Sequence, residues 1–167
     1  VTRMIRKQID DQPRTKSGEF WHKQVYPHQV WLDGFYMALP FYAEYTRRYA
    51  PKEQKDSLFA DIVHQFVAGA ENTYDPATGL YRHAWDESRS MFWCDPQTGL
   101  SDHAWGRATG WFAIALVEVL DYLPEKHPGR QALIDQLNYF LKVLPKWADP
   151  ETGMWYQVLD CPTREGN

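Results

Sequence analysis

Asp75-Pro-Ala-Thr-Gly-Leu80 returns twice in the chain, as Asp95-Pro-Gln-Thr-Gly-Leu100 and as Asp149-Pro-Glu-Thr-Gly-Met154. The phrase has the chemistry of a tight turn. Pro fixes φ at the second position, Asp can bond its own backbone, and Gly takes the left-handed conformation that ends the turn. Three copies of one loop imply one architecture used repeatedly. The residues directly after each copy differ, and function is expected there: Tyr81-Arg-His-Ala-Trp-Asp86, Ser101-Asp-His-Ala-Trp-Gly-Arg107 and Trp155-Tyr-Gln-Val158.

Working outward from the turns, four stretches carry helical periodicity and none alternates long enough to build a sheet. Over 129–147, Leu133, Ile134, Leu137, Phe140, Leu141 and Leu144 recur at steps of three and four. Pro128 suits the first turn of that helix, and Pro145 should weaken or end it. Over 55–72, Leu58, Ile62, Phe66 and Ala70 share a face, with His64 and Gln65 off it. The stretch 104–122 is apolar nearly all round, which predicts an inner helix buried on more than one side. The fourth, 29–48, contains Pro40, so a kink or broken ladder is expected. Helices alternating with a recurring turn predict an all-α fold of stacked helical hairpins, joined by short loops or β-turns.

With 167 residues, 44% of them hydrophobic, the chain can bury one sizeable core, so one domain or part of one is expected. A net charge of −4 and a pI near 5.8 provide no basic field, which argues against nucleic acid as a partner. No apolar run reaches the roughly 18 to 20 residues that span a bilayer, and the N-terminus has no apolar signal core. A soluble protein is expected, with cytoplasm and periplasm both open. Cys94 and Cys161 show no redox or zinc spacing. No metal site is expected: the six histidines form no i, i+4 pair, and the EF-hand-length stretch from Asp75 to Asp86 has Leu80 where a calcium loop needs Gly. A Gly-rich phosphate cradle and a Gly-x-Ser-x-Gly elbow are both missing.

Aromatic residues make up 16% of the chain, with eight Trp and ten Tyr, many in phrases next to loops. A flat apolar face with a polar edge suits sugars, although a Trp-rich core is the plainer reading. Asp33 lies between Trp31 and Phe35 at the head of a predicted helix. It is either an N-cap or a working acid, since a carboxyl group in an aromatic-walled pocket can hold a proton near neutrality. Arg107 and Trp111 are one turn apart and could receive a sugar carboxylate and its ring, or be a surface Arg over a core Trp. Trp105 is expected to point elsewhere. His22 and His83 each stand beside a Trp and could serve hydroxyls or hold structure, whereas Asp86 reads as a cap or solvated acid.

Five phrases together resemble a family: Gly18-Glu-Phe-Trp-His-Lys23, Tyr26-Pro-His-Gln-Val-Trp-Leu-Asp-Gly-Phe-Tyr-Met37, Asp75-Pro-Ala-Thr-Gly-Leu-Tyr-Arg-His-Ala-Trp-Asp-Glu87, Trp105-Gly-Arg-Ala-Thr-Gly-Trp111 and Thr152-Gly-Met-Trp-Tyr-Gln-Val158. Ordered and dense, they resemble the unsaturated rhamnogalacturonyl hydrolases, glycoside hydrolase family 105. The resemblance implies an (α/α)6 toroid of six helical hairpins, with Asp33 as the catalytic acid/base. It implies that His22, His83, Arg107 and Trp111 line the subsite for an unsaturated uronic acid, with Trp31 and Trp105 close by. The implied reaction hydrates the C4=C5 double bond of an unsaturated galacturonyl-rhamnose oligosaccharide, the expected partner, without metal or organic cofactor; no nucleic-acid or membrane partner is expected. Six hairpins need roughly twice this length, so residues 1–167 are expected to be one incomplete domain, the central segment of the ring, with a second functional Asp on the missing N-terminal part. A non-catalytic helical carbohydrate-binding or scaffold module, and a related hydrolase for other unsaturated uronides, are the rival readings.

Overall fold

The computed structural model describes residues 1–167 and contains five α-helices: α1 (Thr2–Asp11), α2 (Leu32–Arg48), α3 (Lys55–Thr73), α4 (Gly106–Tyr122) and α5 (Arg130–Val143). Two short antiparallel pairs accompany them. β1 (Gln29–Trp31) pairs with β4 (Ala84–Asp86), and β2 (Tyr74–Asp75) pairs with β3 (Leu80–Tyr81). α2 packs directly on α4, α3 lies against α2, and α5 lies against α4 and α3. α2 and α4 thus form an inner row and α3 and α5 an outer one, the all-α arrangement of helical hairpins in part of an (α/α)6 toroid. No helix is long and apolar enough to cross a membrane.

The core forms around Phe112 of α4, which is fully buried. Its ring lies 4.8 Å from Phe35 of α2, 5.4 Å from Phe66 of α3, 5.7 Å from Tyr81 of β3 and 5.8 Å from Phe140 of α5. Edge-to-face contacts of this kind join four other elements to one side chain. At Gly69 of α3, a Cβ would stand 2.1 Å from the Phe35 ring, so glycine is what lets α3 approach α2.

Helix boundaries differ from the periodicity in instructive ways. α2 begins at Leu32 and not at residue 29, because Gln29–Trp31 spend their backbone groups on β4. Pro40 does not end it; the helix runs on to Arg48. α5 stops at Val143, and Pro145 lies in a 3-10 turn over Leu144–Trp147. α1 has no counterpart among the expected helices. Only Ile9 of its ten residues is buried, and the i, i+4 ion pairs Arg6–Asp10 and Lys7–Asp11 support it, so its apolar face, Ile5 and Ile9 one turn apart, is too short to stand out as a repeat.

The repeated turns share one set of hydrogen bonds. In each, the Asp carboxylate accepts from the backbone amides two and three residues on and from the Thr hydroxyl. The Gly amide then donates to the Asp carbonyl at 2.8 Å, with φ of +72°, +82° and +70° at Gly79, Gly99 and Gly153. Two of the three copies nevertheless lie in a single connection, between α3 and α4. They do not each join a hairpin; they fold that connection back on itself, so that β4 reaches β1 in front of α2.

Candidate active site

The heads of the two inner helices are built alike. Trp31 precedes α2 with extended backbone (φ −120°, ψ 140°), and Asp33 is the second residue of the helix. Trp105 precedes α4 in the same way (φ −98°, ψ 120°), and Arg107 is again the second residue. His83 joins the two heads: its carbonyl accepts from the Leu32 amide at 3.1 Å, and its own amide donates to the His103 carbonyl at 3.2 Å. Its ring lies 5.1 Å from Trp31 and 5.1 Å from Trp105.

Asp33 is not a cap. No side chain caps α2, and Asp33 Oδ2 is buried without a hydrogen-bond partner. His83 Nδ1 lies 3.5 Å from it, itself buried and without a hydrogen-bond partner. His22 stacks parallel on Trp31 at 4.4 Å, and Tyr26 stacks on the same indole at 5.3 Å. His22 Nδ1 is a third buried, unpartnered atom; a Cβ at Gly34 would come within 3.1 Å of it. Burial pulls the His22 imidazole down to about 4, against the pull of Asp33. Burial lowers His83 as well, again opposed by Asp33 and reinforced by Arg107. The site therefore holds a carboxyl group between two imidazoles that are neutral at pH 7, each with polar atoms left for a ligand.

Arg107 does not lean on Trp111. Its guanidinium lies 3.7 Å from the centre of the Trp105 ring, while Trp111 stacks on Tyr36 of α2 at 4.6 Å. The helix starts at Gly106, so Trp105 is extended and lays its indole across the first turn, where the cation covers it. Arg107 has no acidic partner among the ion pairs, which leaves its fork for an anion. All seven expected residues flank the two helix heads; Trp111 stands one turn deeper than the others. Asp86, fully buried, caps its loop by accepting from the amides of Ser88, Ser90 and Met91.

Sequence reasoning missed three supporting residues. Gln29 Oε1 accepts from the Trp31 indole N–H at 3.0 Å, Gln157 Oε1 accepts from the Trp105 indole N–H at 3.3 Å, and Tyr26 extends the stack. Gln157 had a signal, since it lies in the phrase after the third turn. A cavity of about 400 Å³ behind the His22 and Trp31 stack, walled by Ile9, Phe20, Val30 and Leu39, excludes Asp33 and His83. A second, of about 320 Å³, reaches Arg107 and is walled by Gly110, Trp155, Tyr156 and Gln157.

The lowered His22 predicts a pH response. An imidazole whose folded value lies below its unfolded value near 6.5 binds its proton more weakly when folded. The stability it contributes is then complete above about 6.5 and is lost as pH falls through about 4. Thermal unfolding measured across that window should show Tm falling with pH, and His22→Gln should flatten the slope, with His83 supplying what remains. An identical slope in the variant would remove His22 as its source.

An array of helical hairpins with its polar site at the shared heads of the inner helices is the architecture of an (α/α) toroid. The chain belongs to Glycosyl Hydrolase Family 88, whose sequence pattern matches residues 1–167. It is 32% identical over 160 residues to the unsaturated rhamnogalacturonyl hydrolase YesR of Bacillus subtilis (strain 168), covering 90% of this chain and 42% of that protein. It is 36% identical over 131 residues to protein Atu3128 of Agrobacterium fabrum, covering 78% of this chain and 53% of that one. The chain thus spans about half the length of these curated relatives. Among solved structures, a family 105 glycoside hydrolase of C. acetobutylicum ATCC 824 superposes with a TM-score of 0.90 at 48% identity, over 97% of this chain and 44% of that one. A family 88 glycosyl hydrolase from Bacteroides vulgatus superposes with a TM-score of 0.60 at 25% identity, over 84% of this chain and 37% of that one.

Proposed function

We propose that the chain is the central segment of a hydrolase that removes the unsaturated uronic acid from the non-reducing end of rhamnogalacturonan-derived oligosaccharides. The observation that carries this is Asp33: its Oδ2 atom is buried without a hydrogen-bond partner, 3.5 Å from the His83 Nδ1 atom, at a helix head that also presents His22 and Trp31, with an arginine free of acidic partners at the head of the neighbouring inner helix. The likeness to a named unsaturated rhamnogalacturonyl hydrolase supports the substrate class. That the chain spans under half of that relative, and leaves Ile114 and Val117 of α4 exposed, supports its being a segment.

In this reading Arg107 grips the C6 carboxylate and orients the double bond, while Trp105 and Trp31 wall the sugar ring. An enol ether is nucleophilic at its β-carbon, so Asp33 gives its proton to C4, and the cation that forms is shared by C5 and the ring oxygen. Water then adds at C5 as the Asp33 carboxylate takes its proton. The hemiketal opens by breaking the bond from C5 to the ring oxygen, and the hemiacetal left at C1 expels the second sugar. Neutral His22 and His83 keep water and hydroxyls in register without placing a second positive charge beside the cation.

The test tracks the ultraviolet absorbance of the conjugated C4=C5 uronate, using the gene product that contains the chain and a lyase-generated rhamnogalacturonan disaccharide. Decay of the absorbance is expected. Decay only with another unsaturated uronide would overturn the substrate, and no decay with any would overturn the reaction.

A further inference from the structure

Beneath His83 and Trp105 lies an ion network that the proposed reaction does not use. Arg82, next to His83, donates through Nη2 to Asp75 Oδ2 at 2.7 Å and through Nη1 to the Asp102 carbonyl at 2.6 Å; Nη1 also pairs with Asp160 Oδ2. Asp160 Oδ1 accepts from the Ala104 amide at 3.0 Å, next to Trp105. Both side chains are largely buried, 15% exposed at Arg82 and 7% at Asp160. The segment that carries Asp160 runs antiparallel to residues 104–106: the Leu159 amide donates to the Ala104 carbonyl at 3.0 Å, and the Gly106 amide to the Gln157 carbonyl at 2.7 Å.

We propose that Arg82 and Asp160 are positioning residues, an ion pair that fixes the spacing between the His83 imidazole and the Trp105 indole, and with it the wall of the sugar subsite. Arg82 is the residue before His83, and Asp160 holds the amide of Ala104, the residue before Trp105. A buried ion pair is weak ground for stability, because desolvation offsets its attraction and apolar side chains of equal volume often do as well. What apolar side chains would not supply is register: the guanidinium fork ties the first turn, residue 102 and residue 160 to one point, so 78 residues of sequence separation close beside the His83 and Trp105 contact. The inference rests on the proposed function for its activity readout and on the geometry alone for its spectroscopic one.

The test compares Asp160→Ala and Arg82→Met with Arg130→Met in the gene product that contains the chain. Arg130 donates to the Leu120 and Leu123 carbonyls at 2.7 Å, away from the site, and reports a purely structural loss. Two quantities are read: kcat and KM per folded molecule on an unsaturated uronyl disaccharide, and the ring resonances of His83, which faces Asp33, Arg107, Trp31 and Trp105. Asp160→Ala and Arg82→Met are expected to lower kcat/KM about 10- to 100-fold, mainly through KM, and to move the His83 resonances. Arg82→Lys should restore part of the loss, and Arg130→Met should change neither quantity. Where the first two variants do not fold, Asp160→Asn, which keeps an acceptor for the Ala104 amide, is expected to show the same two changes at smaller size. Unmoved His83 resonances with unchanged kcat/KM would overturn the proposal. Moved resonances in a protein inactive on every unsaturated uronide would overturn the proposed function and leave the positioning role intact.

Discussion

Asp33→Asn should leave the protein folded and reduce turnover of an unsaturated uronide by about 10²- to 10⁴-fold. The carboxamide has the same shape and cannot give a proton to C4 or take one from water, so both halves of the reaction lose their agent. Folding should be indifferent because the Oδ2 atom makes no hydrogen bond that the substitution would break, and no cap is lost from α2. Tm is expected within about 2 °C of the parent, the range of a substitution that removes no packed or bonded group. Absorbance decay under single-turnover conditions, with circular dichroism of the same samples, separates the two effects. Turnover within threefold of the parent would end the assignment of Asp33, whatever the substrate.

The largest expected loss of stability comes from Phe112→Ala, at about 3–5 kcal/mol. The ring is fully buried and meets Phe35, Phe66, Tyr81 and Phe140, each from a different element, so no single neighbour can move in to fill the space. That is a large share of the roughly 5–15 kcal/mol that holds an ordinary domain folded. Phe92→Ala is the matching control: its ring is 95% exposed, and a change within about 0.5 kcal/mol is expected. Urea unfolding at equal slope measures both. A loss below about 1 kcal/mol at Phe112 would mean that the five elements do not meet at this ring.

Four of the five helices were legible because an apolar face repeated every three to four residues marks them whatever they pack on. α1 was not, because its ten residues bury one side chain and are held by contact with α2 and by ion pairs. The residues that flank the two helix heads were legible as a set and not as an arrangement. The sequence writes Trp-x-Asp at 31–33 and Trp-x-Arg at 105–107, two helix heads in the same register, yet spacing alone pairs Arg107 with Trp111. The structure pairs it with Trp105, because a helix that starts at Gly106 and not at residue 104 leaves that Trp extended and free to lie under the guanidinium.

By itself, the sequence determined the elements and their chemistry: helices from periodicity, three turns from Asp, Thr and Gly at fixed spacing, and an acid, two histidines and an arginine set among aromatics. These are local properties, decided by torsions and by hydrogen bonds within a few residues. Tertiary structure alone decided that two of the turns double one connection back so that His83 joins both helix heads, and that Arg82 and Asp160 meet beneath it. It decided as well that Asp33 is left without a partner. Each depends on contacts between residues tens of positions apart, and whether a side chain keeps a partner or loses water is fixed only when those distant segments pack together.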